Sequence, residues 1–473
     1  MLETLRIQNF KSWQDTGDIA FGSLTGFFGT NSSGKSSILQ FLLMLKQTVE
    51  SSDRSRVLHL GDDKSYVDLG TMYDIIHQHE DPGRIIFTFS WLPSNVDYDT
   101  NYFEQTYNWK DYQLSLFDNN TTTQDQLTKP SLNFSAEIAR AQDHIWIKSI
   151  RYQSKTDTIG VKRIDTNKVN SANYEVYISN NKTSIINSNF IRIASNKFYL
   201  LPPIPNRYLS KLADEFVFKL EELFDNSFYL GPLREYPRKF YSWAGDKPQG
   251  VGDQGEDAIA ALLSSRNEVP TIDIGLNHPK RTVEEHVAHW LKELGLIYSF
   301  KVQPIAPNRK EYEVRIQRTA ESASVFLTDV GFGVSQILPV LVLLFYVPEG
   351  STVILEQPEI HLHPAVQAGL ADVFIDAIKR RKLQIILESH SEHLLQRLQR
   401  RMAEFTLNPE KAIDPEVINL YFTSIKEGRS ELTTLDLDEY GNIRNWPDGF
   451  FGNAFEEAAA KMKAEMKRKM QQQ

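Results

Sequence analysis

The chain of 473 residues contains no cysteine. That excludes disulfide staples, iron–sulfur clusters, thiolate zinc sites and a cysteine nucleophile, and it agrees with a reducing compartment. Long apolar runs are missing too. The longest, Ile337–Val347 (ILPVLVLLFYV), is too short to span a bilayer, and the opening MLETLRIQNFKSW lacks the apolar centre of a secretion signal. A cytoplasmic protein with no membrane contact of its own is expected. Positive charge is scarce: 52 Lys and Arg against 61 Asp and Glu leave a net charge of −9. Such a surface does not coat nucleic acid as a whole. Sustained heptads are absent, which argues against long coiled-coil arms.

What is present reads as an α/β protein of two or three domains. LETLRIQNFKSW alternates like a strand, DIAFGSLTGFFG forms a strand pair ending in glycine, and SSILQFLLMLKQTVE has helical spacing. Residues 1–90 are therefore read as the first part of one domain. Residues 91–227 change texture, with Asn/Thr/Ser-rich stretches such as DNNTTTQDQLTKP between short β-like runs, and read as an inserted β-rich module. From 228 to 448 strands and helices alternate, which implies a mostly parallel sheet flanked by helices. Residues 449–473 read as a C-terminal helix.

The chemistry concentrates near the start. Gly29, Thr30, Asn31, Ser32, Ser33, Gly34, Lys35, Ser36 and Ser37 satisfy G-x-x-x-x-G-K-[ST] between a strand and a helix. Glycines let backbone N–H groups curl around phosphates, Lys35 neutralises the β and γ charges, and the Ser36 hydroxyl ligates Mg²⁺. The helix that follows turns its positive end to the same anion. The expected ligands are ATP and Mg²⁺. Such a loop needs a distant partner, an apolar strand ending in a carboxylate. TVILEQPEIHLHP supplies it, with Glu356 as the second metal-binding candidate. ESHSEHL places His390 after another apolar strand.

In order, NFKSW, GTNSSGKSS, DVGFGVSQ, LEQPEIHLHP and ESHSEHL resemble the ABC-type P-loop ATPases of the structural-maintenance-of-chromosomes (SMC) and overcoming-lysogenization-defect branch. The closing DEYGNIRNWPDGFF (Asp438–Phe451) is similar to a bacterial subgroup found in anti-phage cassettes, related to the Septu-system ATPase subunit. The likeness covers about residues 1–75 and 228–452. It implies that Gly29–Ser37 is the Walker A loop and Glu356 stands at the Walker B aspartate. His390 would be the switch histidine and His361–Pro364 the D-loop. Gly331, Phe332 and Gly333 would stand where a signature turn meets the γ-phosphate held by another protomer. The signature serine is missing, so that contact would rest on backbone N–H groups and Ser335. No Q-loop glutamine is evident; Gln47 lies on the wrong helix. A homodimer or larger homo-oligomer sharing ATP is implied. So are a separately encoded effector, a nuclease, and a trigger made of nucleic acid or phage protein.

One departure bears on rate. The family's Asp-Glu pair is Glu356-Gln357 here, and an amide cannot accept a proton from water near neutral pH. Gln357 can only orient that water, which leaves Glu359 as candidate base and implies slow hydrolysis.

Other features stay open. Asp436 and Asp438 form either a nuclease-type metal pair or a polar strand end. A self-contained nuclease, or a chromosome-maintenance or transport ATPase, are the alternative functions. His77/His79 and His286/His289 are histidine pairs without further ligands. Lys379–Lys382, Arg397–Arg401 and Lys461–Lys469 are basic clusters, read as nucleic-acid contacts or as solvated helix ends. REYPRKFYSW (Arg234–Trp243) lines either the nucleotide or a partner surface, or simply packs.

Overall fold

The structure is a computed structural model. It describes residues 1–93, 131–142, 144–164, 172–180, 183–193, 197–201, 207–266, 268, 272–275 and 279–447. The expected C-terminal helix, Lys461–Lys469, and most of the Asn/Thr-rich run therefore lie outside the described residues. The chain forms two units, Met1–Ala20 with Gln40–Ser227, and Phe21–Leu39 with Phe228–Gln473. The first long helix, α1 (Lys35–Glu50), contributes to both.

The first unit is built on a nine-stranded sheet. Its strands are β1 (Leu2–Phe10), β2 (Trp13–Asp15), β3 (Ile19–Ala20), β5 (Gly83–Trp91), β6 (Leu132–Ala141), β7 (His144–Gln153), β8 (Asp157–Arg163), β9 (Ala172–Asn180) and β10 (Thr183–Ile193). They run in the order β10-β9-β8-β7-β6-β5-β1-β2, with β3 beside β1. Neighbours pair antiparallel. Strands of the 91–227 stretch thus extend the sheet begun by β1 and β5. Alternation buries Phe87, Phe89, Phe134 and Tyr152 on one face. Phe87, Phe89 and Phe134 pack with centroids 5.2–6.5 Å apart. The Tyr152 hydroxyl, which can neither face water nor go unbonded, donates to the Tyr199 carbonyl at 2.7 Å. Gln47 on α1 is buried and bridges the His59 and Val67 backbones, a structural task. Within this unit α2 (Met72–Ile75) and α3 (Arg207–Asp225) are the further helices.

The second unit carries the mixed α/β architecture expected for a P-loop ATPase. Its six-stranded sheet has the order β11-β16-β17-β4-β18-β19. The strands are β4 (Leu24–Gly29), β11 (Ser227–Leu230), β16 (Thr352–Glu356), β17 (Gln384–Glu388), β18 (Ile418–Lys426) and β19 (Arg429–Thr434). β16, β17, β4 and β18 are parallel; β19 returns antiparallel. TVILE and QIILE are buried at every position, as strands covered on both faces must be. Four further strands, β12 (Tyr241–Ser242), β13 (Ser299–Pro304), β14 (Glu311–Gln317) and β15 (Val325–Phe326), make a separate small antiparallel sheet. In SVFLTDVG only Val325–Phe326 is strand, before a 3₁₀ turn over Leu327–Asp329.

The helices here are α4 (Ala258–Ser265), α5 (Val283–Glu293), α6 (Phe332–Tyr346), α7 (Pro364–Arg381) and α8 (Glu392–Ala403). α6 is buried from Val334 through Phe345, which is why its sequence is apolar on every side. α7 starts with Pro364 after a His363 cap, and α8 with Ser391 accepting the Leu394 N–H at 3.1 Å. Among the described residues no helix is long and apolar enough to cross a membrane.

Two of the basic clusters, Lys379–Lys382 and Arg397–Arg401, have partners within this fold. Lys379 donates to the Pro409 carbonyl at 2.6 Å and Arg381 to that of Val347 at 2.7 Å. Arg397 and Arg401 both clasp Asp372, at 2.6 and 2.5 Å. The histidine pairs likewise have protein partners. His77 Nδ1 meets the Lys11 carbonyl at 2.8 Å, and His286 Nε2 meets Asp376 at 2.7 Å. Asp376 also takes the Trp290 Nε1–H at 2.9 Å and an Arg380 Nε–H. Burial alone would raise the Asp376 pKa, but His286, Arg380 and Trp290 together bring it below the ordinary aspartate value. A depressed native pKa stabilises the fold above the ordinary Asp range, and that contribution fades as pH falls through the native value. Asp376→Ala strands three donors, and should cost roughly 3 kcal/mol, the lower end for breaking a buried charge network. Urea denaturation checks this, with a smaller difference between wild type and variant at pH 3 than at pH 7.

Candidate functional site

Three parallel strands assemble the site. β17 lies between β16 and β4 in a register that pairs Glu356 with Glu388 and Glu388 with Phe27. The C-terminal ends of β16, β17 and β4 therefore open on one edge, the side where ligands meet open α/β sheets. From β4 the chain enters the glycine loop, from β16 it runs into QPEIHLHP, and from β17 into SHSEHL.

The loop is held open by conformations that side chains resist. Gly29 has φ +140°, Ser32 φ +60° and Gly34 φ +96°. Gly29 faces Thr423 on β18 so closely that a Cβ would lie 2.2 Å from the Thr423 carbonyl oxygen. Ser33 is fully buried, donates to the Thr30 carbonyl at 2.7 Å and meets the Thr423 hydroxyl at 2.5 Å. Lys35 folds back over the loop, its Nζ donating to the carbonyls of Gly29 (3.1 Å) and Thr30 (2.7 Å). Burial lowers its pKa and the carboxylate of Glu388 acts against that. A buried ammonium over inward-curling amides is a preformed anion seat.

Glu388 was not foreseen as a site residue. Its carboxylate accepts from the Ser36 hydroxyl and the Gln357 amide, beside Lys35, while burial raises its pKa. Its Oε2 is buried without a hydrogen-bond partner. The signal existed: QIILE repeats the pattern of TVILE, an apolar strand ending in glutamate, and in a parallel pair both glutamates emerge at one edge.

Glu356 is buried and bonded to the Tyr229 side chain, whose pKa rises through burial and the neighbouring carboxylate. Gln357 sits in left-handed backbone, φ +44°, with its N–H on the Glu388 carbonyl at 2.9 Å. Holding a non-glycine residue there costs on the order of 1 kcal/mol. It turns the chain so that Glu359 reaches back to His390, whose N–H donates to Glu359 Oε1 at 2.7 Å. Burial raises the pKa of Glu359, and its Oε2 is buried without a partner. His390 stands at the exposed end of the group, where desolvation and the Lys35 charge lower its basicity. One network thus brings together Lys35, Ser36, Glu356, Gln357, Glu359 and His390, with Glu388 at its centre.

Gly331, Phe332 and Gly333 belong to another cluster, at the start of α6. Phe332 is 42% exposed and lies against the rings of Tyr236 (5.9 Å) and His361 (5.3 Å). A Cβ at Gly331 would meet nothing within 4 Å. Ser335 corrects an expectation: it is buried, and its hydroxyl donates inward to the Phe332 carbonyl at 2.8 Å, so it cannot serve an outside phosphate. Asp438 accepts from the Tyr440 and Asn442 backbones and the Asn442 amide. Both its oxygens are thereby engaged in a turn, the arrangement of a polar strand end.

The oxygen donors fit Mg²⁺. Ser36, Glu356 and Glu388 offer a hydroxyl and two carboxylates, the hard ligands this ion takes. Among the described residues no group of three or more His, Asp or Glu forms a ready metal cage. A magnesium ion at a phosphate site needs none, because phosphate and water oxygens complete its octahedron.

A strand, a glycine-rich anion seat, a helix and buried carboxylates on neighbouring parallel strands define a P-loop nucleotide-binding protein. The chain belongs to the AAA ATPase domain family, whose model matches residues 1–395. A family described as a protein of unknown function (DUF3696) matches residues 413–460. No curated protein matches the chain. Similar solved structures include the SMC head bound to the C-winged helix domain of ScpA, at 10% identity and TM-score 0.41, covering 93% of this chain and 98% of that one. Another is the SMC head domain from Thermotoga maritima, at 11% and 0.40, covering 92% and 99%. A third is the Smc head domain with an extended coiled coil, bound to the C-terminal domain of ScpA derived from Pyrococcus furiosus, at 11% and 0.36, covering 98% and 99%.

Gly29→Ala tests the seat. It should destabilise the second unit by roughly 1–3 kcal/mol through strain and weaken ATP and ADP binding at least tenfold. Calorimetric titration of both nucleotides checks this; unchanged affinity would mean that the loop is not the anion site.

Proposed function

We propose that this ATPase is a nucleotide-gated dimerisation switch that hydrolyses ATP slowly and acts in bacterial anti-phage defence. ATP sits on Gly29–Ser37 of one protomer, and its γ-phosphate meets the Gly331–Gly333 turn of another. The observations that support this best are the charge gathered at the glycine loop and the open turn at the start of α6. Lys35, Ser36, Glu388, Glu356 and Glu359 gather around the glycine loop, while the Gly331 turn stands open, with room for a close backbone approach. In the closed dimer the free N–H groups at the start of α6 face the phosphate.

In hydrolysis Glu359 takes a proton from the attacking water, and the water oxygen bonds to the γ-phosphorus. The bond from that phosphorus to the β–γ bridging oxygen breaks, and ADP leaves with the electron pair. Gln357 orients the water, and its amide bond to Glu388 keeps it there. Lys35 holds the β and γ oxygens. A magnesium ion on Ser36, Glu356 and Glu388 would offset phosphate charge. The native base position carries an amide, and Glu359 already spends one oxygen on His390; turnover is therefore slow and the ATP-bound dimer long-lived.

The closing DEYGNIRNWPDGFF and the gene cassettes of its look-alikes support a defence role. The effector is a separately encoded nuclease, recruited or freed when the dimer changes state, and the trigger is a phage protein or nucleic acid. Cytoplasmic location follows from the same reading.

Two measurements test it. Steady-state phosphate release should rise about tenfold or more in Gln357→Glu and fall about 10²-fold in Glu359→Gln, the scale of a lost general base. Rapid wild-type turnover indifferent to Glu359→Gln sinks the assignment. Separately, ATP should convert monomer to dimer in light scattering. Gly331→Glu, which has room within its own chain but sets a carboxylate against the phosphate, should bind ATP and stay monomeric.

A further inference from the structure

The segment after β11 runs Gly231-Pro232-Leu233-Arg234-Glu235-Tyr236, and its side chains point the wrong way for a loop that merely packs. Leu233 is 75% exposed and Tyr236 76%, while Arg234 between them is 8% exposed. Solvation alone would reverse these choices, since a guanidinium is costly to bury and a leucine is not. The backbone enforces the arrangement: Gly231 N–H donates to the Asp253 carbonyl at 2.8 Å and Glu235 N–H to that of Gln254 at 2.9 Å.

Once inside, Arg234 has nothing to bind. Its Nε, Nη1 and Nη2 are all buried without a hydrogen-bond partner. Neither Glu356 nor Glu359 satisfies them, although both carboxylates, with the Tyr229 hydroxyl, act on the guanidinium electrostatically. Burial pushes its pKa down to about 10 against those neighbours. Five N–H bonds' worth of donor capacity is thus held ready at the Walker B carboxylates. Across the same cluster Glu359 Oε2 is an orphaned acceptor. Orphaned donors and an orphaned acceptor in one charged cluster are the complement of a group with anionic oxygens and a water. A planar fork of N–H donors suits the tetrahedral end of a phosphate chain.

We propose that Arg234 binds the terminal phosphoryl group of a nucleoside triphosphate, and that it distinguishes triphosphate from diphosphate in this site. The assignment rests on the proposed nucleotide site and adds a residue from outside the glycine loop. The loop amides hold the part of the ligand that both nucleotides share, and Lys35 spans its β and γ oxygens. Arg234 meets only the group that hydrolysis removes, so its burial cost is offset in the ATP state and returns with ADP. The site thereby carries its own preference for opening after turnover.

The test is equilibrium binding of a non-hydrolysable ATP analogue and of ADP to the full chain, with thermal unfolding of the same samples. Arg234→Met keeps the volume and removes the charge; Arg234→Lys keeps the charge without the fork. In Arg234→Met the analogue's Kd should rise about ten- to hundred-fold, the scale of charge-assisted hydrogen bonds. The Kd for ADP should stay within about twofold, and Tm without nucleotide should hold or rise, because an unpaired buried charge has gone. Arg234→Lys should fall between. A drop in Tm with equal loss of both nucleotides, or unchanged binding of both, overturns the assignment. Failure of the underlying reading looks different: wild type would then bind neither nucleotide, and Lys35→Ala would change nothing.

Discussion

The parallel pairing of β16 with β17 and of β17 with β4 is the constraint from which the site follows. Parallel register brings equivalent ends of three strands to one edge and sets Glu356 level with Glu388 and Glu388 level with Phe27. A slip of one residue would turn every side chain to the opposite face and would separate the carboxylates from the loop that holds phosphate. The register is secured by burial, since TVILE and QIILE have no exposed position. Catalytic geometry is thus a by-product of packing the most apolar strands of the chain.

That edge gathers more charge than a protein interior tolerates unaided. Glu356, Glu359 and Glu388 are buried, as are Lys35 and Arg234. Burial raises the two later carboxylates and lowers both cations. The direct hydrogen bonds are mostly to neutral groups: Ser36 and Gln357 on Glu388, backbone carbonyls under Lys35, Tyr229 on Glu356. Lys35, Arg234, Glu359 and Glu388 act on their neighbours through the low dielectric without a salt bridge among these four. An arrangement of this kind is poised, because a closed ion pair would have to be broken before a ligand could use either partner.

Legibility in the sequence followed the kind of constraint each residue obeys. The glycine loop could be read because its types are dictated locally, by backbone that must curl and by a helix that must start. Glu356 could be read because it ends an apolar run, and His390 because it follows one. The α/β sheet and the all-round buried helix α6 followed from hydrophobic period and length. Glu388 was missed although it ends its strand just as Glu356 does, since its role depends on which strand lies between which, a fact of topology. Ser335 was misread because spacing cannot tell that its hydroxyl turns back to Phe332. The orphaned guanidinium of Arg234 was equally invisible, for an arginine among aromatics suits a surface as well as an interior.

Gln357 joins these strands of the argument. An amide in place of the expected glutamate reads in one dimension as a loss. In the fold it is a contact: its side chain bonds Glu388, its N–H bonds the Glu388 carbonyl, and its left-handed backbone sends Glu359 toward His390. A glutamate there would set a second carboxylate beside Glu388, and Glu388, whose pKa burial already raises, would be the one to take up a proton. With Glu388 committed to Ser36, the amide is the neutral group that lets this second carboxylate exist beside the loop. On the proposed function, slow chemistry is the consequence of a site built around Glu388, and a lasting triphosphate-bound state is what such a site supplies.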